Sequence, residues 1–196
     1  AEFLQGLRKL CDERGALLVF DQVQCGMGRT GDLFSHSFSG IEPDILTLAK
    51  SLGSGMPIGA VLVNEKVAEA VQPSDHGSTF AGGPLVTRVA QVVVHRVSDP
   101  DMLAHVTEMG EYLRERLRKI ESKHIIEVRG RGLMCAMELD VPAAPVIEAG
   151  YKHGLLLVNA GPNVVRFVPP LVIQKEHIDT MIGRLTTAMG EAELMA

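Results

Sequence analysis

The sequence is poor in cysteine, which limits the covalent and metal chemistry that it supports. Its three cysteines, Cys11, Cys25 and Cys135, form no Cys-x-x-Cys pair and no Cys/His ligand spacing. An odd number in this arrangement indicates neither a disulfide framework nor a zinc site. We therefore predict reduced thiols and no metal site. Cys25 lies beside the motif described below, but thiols that only pack are far commoner than nucleophilic ones, so we assign it no chemistry.

An excess of basic charge and long apolar runs are also missing. The formal net charge is −5, whereas nucleic-acid binding depends on clustered Lys and Arg that face phosphates. The densest basic run, Arg114 to Lys119, is interrupted by Glu115 and is typical of a solvated helix face. No apolar run approaches the length of a membrane span, and no secretory leader is present. These features predict a cytoplasmic protein that binds neither nucleic acid nor a membrane.

The sequence also lacks an initiator methionine. The chain of 196 residues begins inside an amphipathic segment, Phe3 to Leu10, which leads directly into an apolar run. We therefore expect a fragment of a longer protein, with enough residues for one large or two small domains.

What the sequence does contain is a pair of apolar strands that end at reactive side chains. Lys50 follows Leu48-Ala49, whose side chains can desolvate the amine and raise its nucleophilic fraction, which suits Schiff-base chemistry. Asp21 follows the apolar run Gly15 to Phe20, and the carboxyl end of such a strand faces the ligand side of an α/β sheet. Pyridoxal phosphate needs a lysine on its aldehyde and an acid opposite its pyridine nitrogen. Asp21 and Lys50 fit these two roles.

The order of predicted elements indicates two domains. A helix over Phe3 to Arg14 precedes the first strand, Ala60 to Val63 is another strand, and a long helix runs from Met102 to Glu121. Short strands and helices follow. We predict that residues 1–121 are part of a large α/β domain with its connecting helix, and that residues 122–196 form a small α+β domain.

Two further sites have open alternatives. Ser78 and Thr79 precede the helix that Pro84 begins, so their hydroxyls could bind an anion or serve as plain helix caps. Arg166 lies on an apolar strand, where a guanidinium could clamp a carboxylate with two hydrogen bonds or form an inter-strand ion pair.

Several ordered motifs together resemble the class III aminotransferases. They are Leu17 to Gln24, Gly26 to Gly31, Pro43 to Lys50 and His76 to Phe80. The nearest subgroup is that of the acetylornithine aminotransferases. The resemblance runs from about Phe3 to the last helix and covers the C-terminal half of the family. It implies the C-terminal part of the large domain of a fold-type-I pyridoxal-phosphate transferase, followed by a small α+β domain.

The resemblance implies a role for each candidate residue in binding pyridoxal 5'-phosphate. Lys50 would hold the cofactor aldehyde and later move a proton, and Asp21 would keep the pyridine nitrogen protonated. Gln24 would hydrogen-bond the phenolic oxygen of the ring. Ser78 and Thr79 would bind the cofactor phosphate, with Thr79 reaching across a homodimer to the partner's cofactor.

The implied reaction transfers the terminal amino group of N-acetylornithine or a similar ω-amine to 2-oxoglutarate by a ping-pong Schiff-base mechanism. Arg166 would bind a substrate carboxylate. Ornithine and 4-aminobutyrate are alternative donors, and a non-catalytic fragment that keeps the fold is an alternative of another class.

The sequence departs from the family pattern at some positions. Gln22 stands where many members carry glutamate, Cys25 replaces a common threonine, and Ala81 and Gly83 occupy a loop that usually reads Gly-Gly-Asn-Pro. These departures leave the substrate subgroup open. The phosphate loop and the aromatic residue that stacks on the cofactor are expected N-terminal to this segment, since neither Phe34 nor Phe80 fills that place. The isolated segment is therefore expected to be incomplete.

Overall fold

The computed structural model describes residues 1–79 and 82–194. The chain divides into two compact units, Ala1–Leu103 and Ala104–Ala196. The expectations placed on Phe80 and Ala81 lie outside the described residues. The predicted boundary between residues 121 and 122 and the small-domain assignment stay predictions.

The first unit is built on a three-stranded sheet. Its helices are α1 (Glu2–Arg14), α2 (Glu65–Ala68) and α3 (Pro84–Val97), and its strands are β1 (Val19–Asp21), β2 (Ile45–Leu48) and β3 (Ala60–Val63). The strand order is β1-β2-β3, with β1 and β2 parallel and β2 and β3 antiparallel. The predicted strand over Ala60 to Val63 agrees with β3.

The ends of these helices follow from their sequences. Gly15 ends α1 in the left-handed conformation with φ 63°, which glycine adopts without steric cost. The Asn64 side chain caps α2 by accepting a hydrogen bond from the Val67 N–H at 3.0 Å. Pro84 occupies the first turn of α3, where its missing N–H costs nothing.

The apolar run before Asp21 is shorter and more exposed as a strand than expected. The strand begins only at Val19, and Leu17 and Val19 are 46% and 51% exposed. A strand is buried on both sides only where another layer covers each face of the sheet. In the described chain Leu18, Leu46 and Leu48 are covered, whereas residues on the opposite face are open.

A buried carboxylate ties the elements of the first unit together. Asp44, one residue before β2, accepts hydrogen bonds from the Leu18 N–H at 2.7 Å, from Arg8 Nη1 at 2.8 Å and from Asn64 Nδ2 at 2.7 Å. The Leu18 N–H, followed by the Arg8 guanidinium, holds the pKa of this carboxyl below its usual range. The Asp44 backbone bonds to Leu18 and Asn64 as well. One side chain therefore joins α1, β1, β2 and the start of α2.

The second unit contains an antiparallel sheet packed with helices. The helix α4 (Pro100–Arg118) begins in the first unit and lies mostly in the second, and it is followed by β4 (Ile125–Arg131), β5 (Met134–Leu139), α5 (Ala144–Lys152), β6 (Val158–Asn159), β7 (Val164–Phe167) and α6 (Lys175–Glu191). The strand order is β4-β5-β7-β6. Gly110 of α4 is packed so closely that a Cβ there would lie 2.0 Å from the Gly132 carbonyl oxygen. The helix therefore rests directly on the turn between β4 and β5.

The core of the second unit is apolar. Many of its fully buried side chains come from three helices and two strands, among them Val106, Leu113, Leu117, Met137, Leu139, Val146, Val165, Ile178 and Leu185. Within the described part of the chain, no helix combines the length and apolar character needed to cross a membrane.

We predict that Asp44→Asn destabilises the fold by about 1.5–3 kcal/mol at neutral pH, because an amide cannot replace a carboxylate that accepts from three donors. The folded-state pKa of Asp44 is lowered, so its contribution is fully present above the unfolded pKa of about 3.9 and is lost as the pH falls through the folded pKa. The difference between variant and parent should therefore shrink in acid. Urea unfolding of the full-length protein between pH 3 and 8 measures it.

Asp12→Asn is the matched control, because Asp12 pairs with the same Arg8 at 2.7 Å but is 65% exposed. Exposed ion pairs contribute little. Equal destabilisation by the two variants would contradict a special role for Asp44.

Candidate active site

Two neighbouring parallel strands bring Asp21 and Lys50 to one edge of the sheet. Asp21, the last residue of β1, is in register with Thr47 of β2. Lys50 follows the end of β2 by two residues. Because parallel strands end at the same edge, both side chains belong to the carboxyl edge, where open α/β sheets bind ligands.

The Asp21 carboxylate is exposed and has room for another donor. Its Oδ1 accepts hydrogen bonds from the Val23 N–H at 3.0 Å and from Thr47 Oγ1 at 3.2 Å. Over residues 1–79 and 82–194 no donor is recorded at Oδ2. Oδ2 can therefore accept from a ligand N–H while Oδ1 holds the carboxylate in place.

Lys50 begins a short 3₁₀ helix, Lys50–Leu52, in a conformation that is unusual for a residue with a side chain. Its φ is 44°, in the left-handed region, which costs a residue with a Cβ roughly 1–2 kcal/mol. Strained residues of this kind cluster at functional sites. The expected desolvation by Leu48 and Ala49 is not observed, because Leu48 packs into the core while Lys50 is exposed.

Glycines make the bends around this edge possible. A Cβ on Gly53, just after the 3₁₀ helix, would lie 2.1 Å from the Met56 carbonyl oxygen and 2.7 Å from Ile58. A Cβ on Gly26 would lie 2.8 Å from the Gln22 carbonyl oxygen. In the loops that follow β1 and β2, the backbone atoms approach so closely that only glycine fits at positions 26 and 53.

The remaining candidates of the first unit are exposed. Gln24 lies in the turn after β1, and Ser78 and Thr79 lie in the loop before α3, with Thr79 at the border of the described residues. The N-cap position of α3 is occupied by Gly83. Their binding of a phosphate stays a prediction.

Arg166 lies in the second unit, in the middle of β7, opposite Ala136 and Val158. It lines a pocket of about 280 Å³ whose other walls are mostly apolar, among them Leu157 and Phe167. Its binding of a substrate carboxylate stays a prediction.

A buried polar pair behind Asp21 was not found from the sequence. Gln22 and His36 are each 4% exposed, and Gln22 Nε2 lies 2.7 Å from His36 Nδ1. Alternation along β1 could have indicated that residues 20 and 22 face away from Asp21. The partner of Gln22, fourteen residues further along the chain, carries no such local signal.

The chain and its fold are those of a known family. The family model for aminotransferase class-III matches residues 1–189, so the chain belongs to this family. Membership implies pyridoxal phosphate as the coenzyme and identifies the fold as part of a fold-type-I transferase.

The most similar relatives include acetylornithine aminotransferases. The mitochondrial enzyme of Alnus glutinosa is 52% identical over 181 residues, which cover 91% of this chain and 40% of the relative. The enzyme of Vibrio vulnificus (strain YJ016) is 47% identical over 97% of this chain and 49% of the relative. The chain thus spans less than half the length of these relatives.

Solved structures of aminotransferases also match this chain. N-acetylornithine aminotransferase from Stenotrophomonas maltophilia K279a matches with a TM-score of 0.88 at 39% identity, over 97% of this chain and 51% of that one. The ornithine aminotransferase from Toxoplasma gondii ME49 matches with a TM-score of 0.90 at 33% identity, over 97% and 47%.

The residues at the sheet edge fit the coenzyme. The open Oδ2 of Asp21 can accept from a protonated pyridine nitrogen, and Lys50, exposed at the same edge, offers an amine for an aldehyde. The rest of the coenzyme's surroundings includes residues beyond the described ones.

We predict that Gly53→Ala destabilises the protein by about 1–3 kcal/mol and opens the loop that carries Lys50, because the new methyl group overlaps the Met56 carbonyl. Limited proteolysis within residues 49–59, together with urea unfolding, measures both effects.

Gly59→Ala is the control in the same loop, since its Cβ would meet its nearest neighbour at 3.5 Å, an ordinary contact. If both variants behave like the parent, the tight closure at Gly53 is not required.

Proposed function

We propose that the full-length protein carrying this chain is a pyridoxal-phosphate-dependent aminotransferase that transfers the terminal amino group of N-acetylornithine, or of a similar ω-amine, to 2-oxoglutarate. The proposal depends mainly on the common edge of the paired parallel strands β1 and β2. Asp21 ends β1 at this edge, and Lys50 follows β2 there. The acetylornithine relatives support the donor. Similarity to ornithine aminotransferase supports ornithine as a second candidate.

Lys50 performs the nucleophilic and proton-transfer steps. Its amine would hold the coenzyme aldehyde until the amino substrate displaces it, and would then move a proton between the substrate carbon and the methine carbon of the coenzyme. When bound, the coenzyme supplies a ring that withdraws the electrons left behind. The strained backbone of Lys50 directs the amine from the end of β2.

Asp21 acts through charge. Its carboxylate holds the pyridine nitrogen protonated, while the bonds from Val23 and Thr47 keep the carboxylate still. Gln24 donates to the phenolic oxygen of the ring from the adjacent turn.

The other proposed roles complete the site. Ser78 and Thr79 bind the coenzyme phosphate, Thr79 doing so in the partner subunit of a homodimer, and Arg166 binds a substrate carboxylate with its two-pronged guanidinium. The protein is proposed to act in the cytoplasm, although the relative from Alnus glutinosa is named as mitochondrial.

We predict that the full-length protein, incubated with pyridoxal phosphate and then borohydride, carries a reduced pyridoxyl group on Lys50, because the exposed amine is within the proposed site. Peptide mapping by mass spectrometry locates the group. Lys50→Arg should lose it, whereas Lys66→Arg, on α2, should keep it.

An unmodified Lys50 would favour the alternative of a non-catalytic chain that keeps the fold. If the adduct forms, half-reactions followed by coenzyme absorbance test the donor. The ω-amine assignment is wrong if N-acetylornithine, ornithine and 4-aminobutyrate leave the absorbance unchanged while an unrelated α-amino acid changes it.

We predict that Asp21→Asn lowers kcat by about a hundredfold or more while the protein still folds, because the ring loses the anion that keeps its nitrogen protonated. Single-turnover kinetics and circular dichroism check the two halves of this expectation. Asp75→Asn is the control, because Asp75 is an exposed carboxylate of the same unit that accepts from the Gln72 N–H. Turnover of Asp21→Asn close to that of the parent would remove Asp21 from the mechanism.

A further inference from the structure

His36 contacts the residues on both sides of Asp21. Its ring lies 5.4 Å from the ring of Phe20, centroid to centroid, and its Nδ1 lies 2.7 Å from Gln22 Nε2. Side chains alternate along a strand, so Phe20 and Gln22 share one face of β1 and Asp21 projects from the other. The exposure of these residues agrees, since Gln22 is buried and Asp21 is exposed. His36 therefore packs against one face of the end of β1, and Asp21 projects from the opposite face.

The hydrogen bonds fix the chemical form of the imidazole. Gln22 Oε1 accepts from the Ser35 N–H at 2.9 Å, and this donor cannot be satisfied if the amide is flipped. Gln22 Nε2 therefore points at His36 and donates to Nδ1. An accepting Nδ1 means a neutral ring with its proton on Nε2. The Glu42 carboxylate lies 3.5 Å from Nε2, on the side where this tautomer carries its N–H.

Gln22 also joins the strand end to its surroundings through its backbone. Its N–H donates to the Thr47 carbonyl at 3.0 Å, and its carbonyl accepts from the Gly26 N–H at 3.0 Å. Thr47 is the residue whose hydroxyl bonds Asp21. Gln22 is thereby bonded to Thr47, one of the two donors to Asp21, and its neighbour in the chain, Val23, is the other donor.

We propose that His36 is a positioning residue for Asp21: as a neutral imidazole held by Gln22, it fixes the end of β1 so that the Asp21 carboxylate keeps its place at the sheet edge. The proposal rests on the proposed function where it concerns coenzyme binding, but the form of the imidazole does not.

The arrangement depends on which ring nitrogen carries the proton. A proton on Nδ1 would set an N–H against the N–H of Gln22 and break this hydrogen bond. Glu42 lies at Nε2, and Leu4 of α1 and Cys25 lie beside the ring in a small cavity that His36 also lines. Positioning therefore requires an Nδ1 that accepts from Gln22.

The first test reads the imidazole directly. In the full-length protein with ring-¹⁵N histidine, long-range ¹H–¹⁵N correlation at pH 7.5 should show His36 as the neutral Nε2–H tautomer, its signal assigned by its loss in His36→Asn. Gln22→Glu places an acceptor against Nδ1, so in this variant Nδ1 should carry a proton and donate it to the carboxylate. An Nδ1–H tautomer or an imidazolium in the parent would overturn the proposal.

The second test measures the dissociation constant of pyridoxal phosphate at pH 7.5. His36→Leu removes the acceptor and should weaken binding about tenfold. His36→Asn places an oxygen where Nδ1 stood, so it should bind like the parent. Ser39→Ala, which removes only a hydroxyl bonded to the His36 carbonyl at 2.6 Å, should leave the tautomer and the dissociation constant unchanged.

The outcomes separate the two proposals. If pyridoxal phosphate binds the parent and His36→Leu equally well, His36 does not position Asp21 and the proposed function stands. If the parent does not bind pyridoxal phosphate at all, the proposed function fails and the positioning role fails with it.

Discussion

The geometry of the candidate site depends on the hydrogen bond between the Asp44 carboxylate and the Leu18 N–H, at 2.7 Å. Leu18 precedes β1 by one residue and Asp44 precedes β2 by one residue, so this bond fixes the register between the two strands. Three residues further along each strand, Asp21 therefore stands opposite Thr47. A slip of one residue would turn every side chain of one strand to the other face and separate Asp21 from the loop of Lys50.

Much of this arrangement could be predicted from the sequence, because its signals are local. Apolar runs that stop at a polar residue mark strand ends, and they indicated that Asp21 and Lys50 lie at or just after the ends of β1 and β2. Glycine and proline located the boundaries at Gly15 and Pro84. Such signals need only a few neighbouring residues, and the same short range explains why β3 was predicted with its observed bounds.

The sequence did not indicate features that depend on which residues meet across the chain. The exposure of Val19 and of Lys50 depends on what covers each face of the sheet, and an apolar run does not show which face is covered. The left-handed backbone of Lys50 follows from the closure of its loop at Gly53. The contact of Gln22 with His36 joins residues fourteen apart, across a turn whose path no local pattern specifies.

The Gln22–His36 contact also provides a physical reason for a glutamine at the position after Asp21. A buried glutamate at this position would carry a charge that needs compensation, and the nearest group able to supply it is the His36 imidazole. A neutral amide beside a neutral imidazole avoids the desolvation of two charges and still satisfies the Ser35 N–H. The glutamine that stands in place of the common glutamate therefore bonds both the Ser35 N–H and the His36 ring without a buried charge, while its backbone keeps its hydrogen bonds to Thr47 and Gly26.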